Sequence, residues 1–153
     1  MKDIQKFHQL ALALLKNIGL NIDALAADQE VISLDVDNSF SVHIGLLEQG
    51  QYFFLAELPQ TTLNHLSREQ LVELLRVNHI NGDQWQPTIS LTLDDRIACW
   101  LRLPLDTSDL PVLTSALDSV VENAETLLRR FTSAEVLQTT STSMEQPFLG
   151  LRG

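Results

Sequence analysis

The sequence predicts an α+β domain in which helices pack on one antiparallel sheet. Two observations support this fold class. Apolar residues switch between helical spacing and strict alternation along the chain, in the order α-β-β-β-α-β-β-α. The predicted strands also come in consecutive groups rather than in βαβ alternation, a pattern that favours antiparallel hairpins over a doubly wound parallel sheet.

The first helix is predicted over residues 4–18. An apolar stripe with steps of three and four residues runs from Ile4 to Ile18, and Gly19 supplies a helix stop. Further leucines, including Leu10, lie outside this stripe. Because a helix with one ordinary solvent face does not need so much apolar surface, the excess indicates a second packing partner.

The next three segments alternate with period two. Residues 31–36 and 40–46 flank an Asp37-Asn38 turn, which predicts an antiparallel hairpin with one core face. The third strand, residues 51–58, is largely apolar on both faces. Such a strand is either covered on both sides or exposes a patch that contacts another chain.

A capping box predicts the start of the second helix: Ser67 and Gln70 have the required spacing, and Asn81-Gly82-Asp83 ends the helix. A second hairpin follows over residues 89–93 and 97–103. The last helix is predicted over residues 111–131. We therefore expect a folded domain at 1–131 and a flexible Ser/Thr-rich tail at 132–153.

Composition limits the class of function. At 153 residues and 17.2 kDa the chain fits a single domain, and no apolar run approaches the roughly 18 residues of a membrane span. A formal charge of −10 disfavours nucleic acid and anionic membranes as partners. The N-terminus does not resemble a signal peptide, and Cys99 is the single cysteine, so we expect a cytoplasmic protein.

The sequence contains no catalytic, cofactor or metal motif. Its histidines do not form an H-x-x-x-H or H-E-x-x-H pattern, and Cys99 falls on the apolar face of its strand. Asp35/Asp37 and Asp94/Asp95 lie in turn-like contexts that favour Asp for local reasons. His79, which stands near polar residues after the second helix, is interpreted as a helix-end residue. The extra apolar surface of the first helix and of the third strand remains to be explained, and it indicates protein binding.

Several short segments of the second half resemble one known family in their order and spacing. These segments are Leu74-Leu75-Arg76-Val77-Asn78, Asp94-Asp95, Leu103-Pro104-Leu105-Asp106 and Asn123-Ala124-Glu125. Together with the element order, they are similar to the class I chaperones of bacterial type III secretion, the CesT-like or Tir-chaperone family. The resemblance covers residues 3 to about 131.

The resemblance implies a homodimer formed through the second helix and the strand after it. The residues that it maps to the dimer interface are Leu71, Leu74, Leu75, Asn78, Ile89 and Leu91. It also implies that the N-terminal segment of a secreted effector wraps around the dimer in extended form and is kept soluble and secretion-competent, without a cofactor or catalytic residues. The residues that it maps to effector binding are Leu10, Leu14, Phe40, Val42, Phe53 and Leu55.

Two other hypotheses about function stay open. One is a small enzyme or ligand-binding domain with a pocket between helix 1 and the sheet, using His43 or His79 and nearby carboxylates. The other is an adaptor of a secretion apparatus that binds folded partners instead of effectors.

Overall fold

The structure is a computed structural model that describes the backbone of residues 3–62 and 65–151 and the side chains of residues 3–59 and 65–131. Its elements are α1 (Ile4–Asn17), β1 (Val31–Val36), β2 (Phe40–Leu47), β3 (Gln51–Thr62), α2 (Arg68–Val77), β4 (Thr88–Leu91), β5 (Arg96–Pro104) and α3 (Leu110–Leu151). The predicted α+β class and element order are confirmed.

All strands form one five-stranded antiparallel sheet with the order β1-β2-β3-β5-β4. The first three strands are a meander. From the end of β3 the chain passes through α2 to the edge strand β4 and then returns as β5, which pairs with β3 with Tyr52 opposite Leu103. Strands β1 and β4 are therefore the two edges of the sheet.

One face of the sheet is covered by α1 and α3, and we call it the covered face. Its central side chains alternate along β2, β3 and β5, and most have no accessible surface: Val42, Ile44, Phe54, Ala56, Leu58, Ile97 and Cys99. Phe7, Leu14 and Leu15 of α1 and Val120 of α3 complete the same cluster. Burial of this apolar surface is the main source of stability for the fold.

Local sequence signals explain where several elements begin. The backbone N–H of Gln70 donates to Ser67 Oγ at 3.2 Å, and that of Ser67 donates to Gln70 Oε1 at 2.8 Å, so the capping box is confirmed. Asp3 caps α1 by accepting from the Lys6 N–H at 3.1 Å. In the β1–β2 hairpin Asp37 and Asn38 both have positive φ, 49° and 56°, as a type I′ turn requires.

Several boundaries differ from the predicted ones, and α2 ends at Val77, before the predicted break at Asn81-Gly82-Asp83. Strand β3 continues to Thr62, β4 ends at Leu91, and α3 continues to Leu151 rather than ending near residue 131. Residues 132–146 contain neither glycine nor proline, and serine and threonine lower helix propensity only modestly. The predicted flexible tail is thus helical in backbone as far as Leu151.

Among the described helices, none combines the length and hydropathy needed to cross a membrane.

Candidate protein-binding surfaces

The face of the sheet opposite α1 and α3, which we call the open face, is partly apolar. Side chains from β3 and β5 that point away from the covered face include Phe53, Leu55 and Trp100, and each of them is partly exposed. Leu55 lies directly opposite Trp100 in the β3–β5 register. An apolar surface on a sheet face without a covering helix is a feature of protein-interaction sites.

A groove of about 230 Å³ lies on this open face. It is lined by Leu47, Phe53, Leu55, Ser90, Leu91, Thr92, Ala98, Trp100 and Arg102. Most of the lining is apolar, and Arg102 adds one positively charged residue. We call this feature the sheet groove.

Two local contacts set the shape of the sheet groove. The indole N–H of Trp100 donates to Ser90 Oγ at 3.1 Å, which fixes the ring between β4 and β5. Phe53 packs over Gly45 of the neighbouring strand, where a Cβ would lie 2.3 Å from the Phe53 ring. Glycine at position 45 therefore allows the ring to lie close to the β2 backbone.

Helix α2 presents a second apolar surface. Its Leu75 side chain is 73% exposed, and Val72 on the same helix and Ile80 just after it are also exposed. A shallow depression at this place is lined by Val72, Leu75, Arg76, Asn78 and His79. Val72, Leu75 and Ile80 together form an exposed apolar patch, which is the kind of surface that marks interaction sites.

The structure divides the residues mapped to a dimer interface into two groups. Leu75 and Leu91 are exposed and Leu71 is half-buried, so their side chains are available to a second subunit. Leu74 and Ile89 are buried within the subunit. The Asn78 amide is bonded to the backbone of Ile89, with Nδ2 donating to the carbonyl at 2.8 Å and Oδ1 accepting from the N–H at 2.7 Å.

The residues mapped to effector binding divide in the same way. Leu10, Phe53 and Leu55 are partly exposed. Leu14, Phe40 and Val42 are core residues that contact α1, the sheet and α3 from inside. Leu14 and Val42 have no accessible surface and Phe40 is only 4% exposed, so the proposed binding surface omits these three. The apolar pattern in the sequence did not show whether these three side chains lie in the core or on the surface.

Residues outside the set mapped to effector binding also line the sheet groove, notably Leu47, Ala98 and Trp100. Alternation along β5 places Ala98 and Trp100 opposite in direction to Cys99, which was detectable in the sequence. The neighbour relation between β3 and β5 was not detectable, because α2 and β4 separate these strands in the chain.

A polar cluster occupies the other half of the open face. Ser33 Oγ and His43 Nδ1 are 2.8 Å apart, His43 Nε2 is 3.7 Å from Glu57 Oε2, and Arg96 Nη1 donates to Glu57 Oε1 at 3.0 Å. These contacts link β1, β2, β3 and β5 across the sheet. His43 thus lies on the open face and not in a pocket beneath α1.

The space between α1 and the sheet is filled by buried side chains, including Phe7, Leu14 and Leu15. His79 is exposed at the end of α2. Burial raises the pKa of the Cys99 thiol to about 12, so this side chain behaves as a small apolar group. The reading with a pocket between helix 1 and the sheet therefore has no support from the geometry of these residues.

Comparison with known proteins agrees with the architecture. A family model described as the Tir chaperone protein (CesT) family matches residues 10–128. None of the curated proteins matches the chain significantly.

Solved structures of low sequence identity share the fold. The Yersinia pestis type III secretion chaperone SycH, in complex with a stable fragment of YscM2, is 21% identical with a TM-score of 0.62, covering 79% of this chain and 98% of that one. The ExsC–ExsE complex gives 19% identity and a TM-score of 0.65, covering 84% and 96%. The ExoT–SpcS complex from Pseudomonas aeruginosa gives 18% and 0.59, covering 82% and 97%.

Proposed function

The chain belongs to the Tir chaperone protein (CesT) family, and we propose that it is a cytoplasmic type III secretion chaperone. As a homodimer it binds the N-terminal segment of a secreted effector and keeps that segment soluble and secretion-competent. It acts by binding, without catalysis. Besides family membership, the sheet groove is the observation that supports this proposal. An apolar groove on a sheet face can bind an extended, unfolded segment.

The β1 edge offers backbone groups to the same client segment. The N–H of Leu46 donates to the Glu30 carbonyl at 2.8 Å, so even-numbered residues of β1 direct their backbone towards β2. Alternation then directs the backbone of Val31, Ser33 and Asp35 away from the sheet. An extended client that pairs here gains main-chain hydrogen bonds, while its alternate side chains provide specificity.

The dimer is proposed to form through the exposed face of α2. Leu75→Glu places a charge at the most exposed leucine of this helix and should convert the dimer to a monomer, measured by light scattering. Ile22→Glu, which makes the same change at an exposed residue before β1, is the matched control and should keep the dimer mass. A dimer that survives Leu75→Glu would remove α2 from the interface.

Client binding is tested by co-expression with the product of the neighbouring gene. We expect a complex that keeps the client soluble, that is weakened by Phe53→Asp or Leu55→Asp, and that is unaffected by Ile22→Asp. Full affinity in the Phe53 and Leu55 variants would reject the sheet groove as the binding surface. Recovery of apparatus subunits alone, with no secreted protein, would favour the adaptor function.

A further inference from the structure

The two edges of the sheet differ in how their outward backbone groups are satisfied. Just after β4, the N–H of Thr92 donates to the Arg96 carbonyl at 2.8 Å, so the backbone N–H and C=O of Thr88 and Ser90 also face β5. Ile89 and Leu91 consequently direct their N–H and C=O outward. Ile89 is the outward residue that the Asn78 amide binds.

The geometry of this contact imitates a neighbouring strand. In an antiparallel sheet, a hydrogen-bonded residue pair exchanges two N–H···O bonds. The Asn78 side chain has one donor and one acceptor, and it exchanges both with Ile89 at 2.8 and 2.7 Å. It therefore occupies the position that one residue of an added strand would take.

The segment that follows α2 is itself bonded to the end of the helix. Asn78 is the C-cap residue of α2. A second amide, Gln86, donates to the His79 carbonyl at 2.7 Å and accepts from the Asn81 N–H at 3.0 Å. The end of the helix and the start of β4 are thus tied together, so a strand arriving at β4 must displace a positioned side chain.

We infer that Asn78 closes the β4 edge and so makes strand addition to this sheet one-sided. The β1 edge has three outward residues, and Gln29 Nε2 donates to the carbonyl of one of them, Val31, at 3.2 Å. At β4, one of two outward residues is already bonded. The inference rests on the proposed function only for the identity of the strand that β1 accepts. At β4 the Asn78 contact opposes the addition of any strand, including a strand from a second copy of this chain. The contact therefore limits edge-to-edge association.

The first test uses the unmodified protein and measures amide hydrogen exchange by NMR. Ile89 and Leu91 both point outward from β4, so the Ile89 amide should exchange about tenfold more slowly than that of Leu91 if Asn78 holds it. Equal exchange rates at Ile89 and Leu91 in the unmodified protein would overturn the inference.

The second test opens the edge. Asn78→Ala should accelerate exchange at Ile89 and produce species larger than the wild type whose proportion rises with concentration in sedimentation velocity. Asn123→Ala is the matched control, because Asn123 Nδ2 also donates to a backbone carbonyl, that of Ser119 at 2.7 Å, but on α3. Asn78→Asp, which keeps the acceptor and loses the donor, gives the same test with the side-chain size preserved.

The third test closes the edge again by a different route. Leu91→Pro removes the other outward N–H without removing a bond to β5, since proline is tolerated at such edge positions. Because Leu91 is also mapped to the dimer interface, this comparison is made in the Leu75→Glu background, where the proposed dimer is absent: Asn78→Ala should produce larger species there, and Leu91→Pro should remove them. Faster exchange at Ile89 without larger species, or larger species that persist after Leu91→Pro is added, would overturn the role of Asn78. None of these measurements needs an effector, so their failure leaves the chaperone proposal intact, and failure to find an effector leaves this one intact.

Discussion

Two adjacent phenylalanines in β3 have opposite environments. Phe54 has no accessible surface and lies in the core beneath α1 and α3, and Tyr52 meets its ring edge-on with centroids 5.7 Å apart. Phe53 faces the sheet groove and is partly exposed. The same residue type in the same strand thus serves stability on one face and is available for binding on the other. Apolar character alone therefore does not indicate which task a strand residue performs.

The largest expected change in stability comes from substituting these two phenylalanines in turn. Phe54→Ala leaves a cavity in a closely packed core and should lower the free energy of unfolding by about 3–5 kcal/mol. Phe53→Ala, at a partly exposed position, should lower it by less than about 1.5 kcal/mol. Urea denaturation of both variants measures the difference, and equal losses would show that the open face is as important for stability as the covered face.

Alkaline pH should act through the covered face. Burial raises the pKa of Cys99 from 9.0 to about 12 and also raises that of Tyr52 above 10.0. Both groups are neutral when protonated, so the unfolded chain ionises first. Their contribution to stability is complete below pH 9 and is lost as pH rises from about 9 to about 12.

Denaturation midpoints measured from pH 8 to 11 test this slope. Cys99→Ala should make the decline less steep, whereas substitution on the open face, such as Leu55→Ala, should leave the slope unchanged. A Cys99→Ala slope identical to that of the wild type would mean that this thiol ionises as readily in the folded state as in the unfolded one.

A smaller effect is expected for a buried hydroxyl. Tyr52 Oη donates to Ser108 Oγ at 2.8 Å, and Ser108 Oγ donates to the Pro104 carbonyl at 2.6 Å. Tyr52→Phe removes the first bond and should cost about 1 kcal/mol in thermal or urea unfolding. Ser33→Ala, which removes an exposed bond to His43 on the open face, should cost no more than about 0.5 kcal/mol.

The smallest effect on stability should come from Gly45→Ala. The added Cβ would meet the outer edge of the Phe53 ring, which can rotate away towards solvent, so the free energy of unfolding should change by less than about 1 kcal/mol. Client affinity should fall nonetheless, because the ring then projects into the sheet groove. Unchanged affinity with a displaced ring would show that Phe53 does not shape the binding surface.

Local patterns were sufficient for much of the fold. Alternation and helical spacing predicted the order of the elements, and the S-x-x-Q pattern at Ser67 predicted a helix start that the structure confirms. The end of α3 was not predictable in this way, because a Ser/Thr-rich composition suggests a tail but contains no residue that stops a helix before Pro147.

The sequence by itself determined which residues share a side of each strand or helix, because that depends only on backbone periodicity. Tertiary structure alone decided which side is covered. It placed β5 beside β3, brought Trp100 opposite Leu55, buried Val42 and Leu14, and directed the Asn78 amide to the edge of β4. These relations join residues far apart in the chain, and their free energy comes from contacts that exist only once the sheet and helices have assembled.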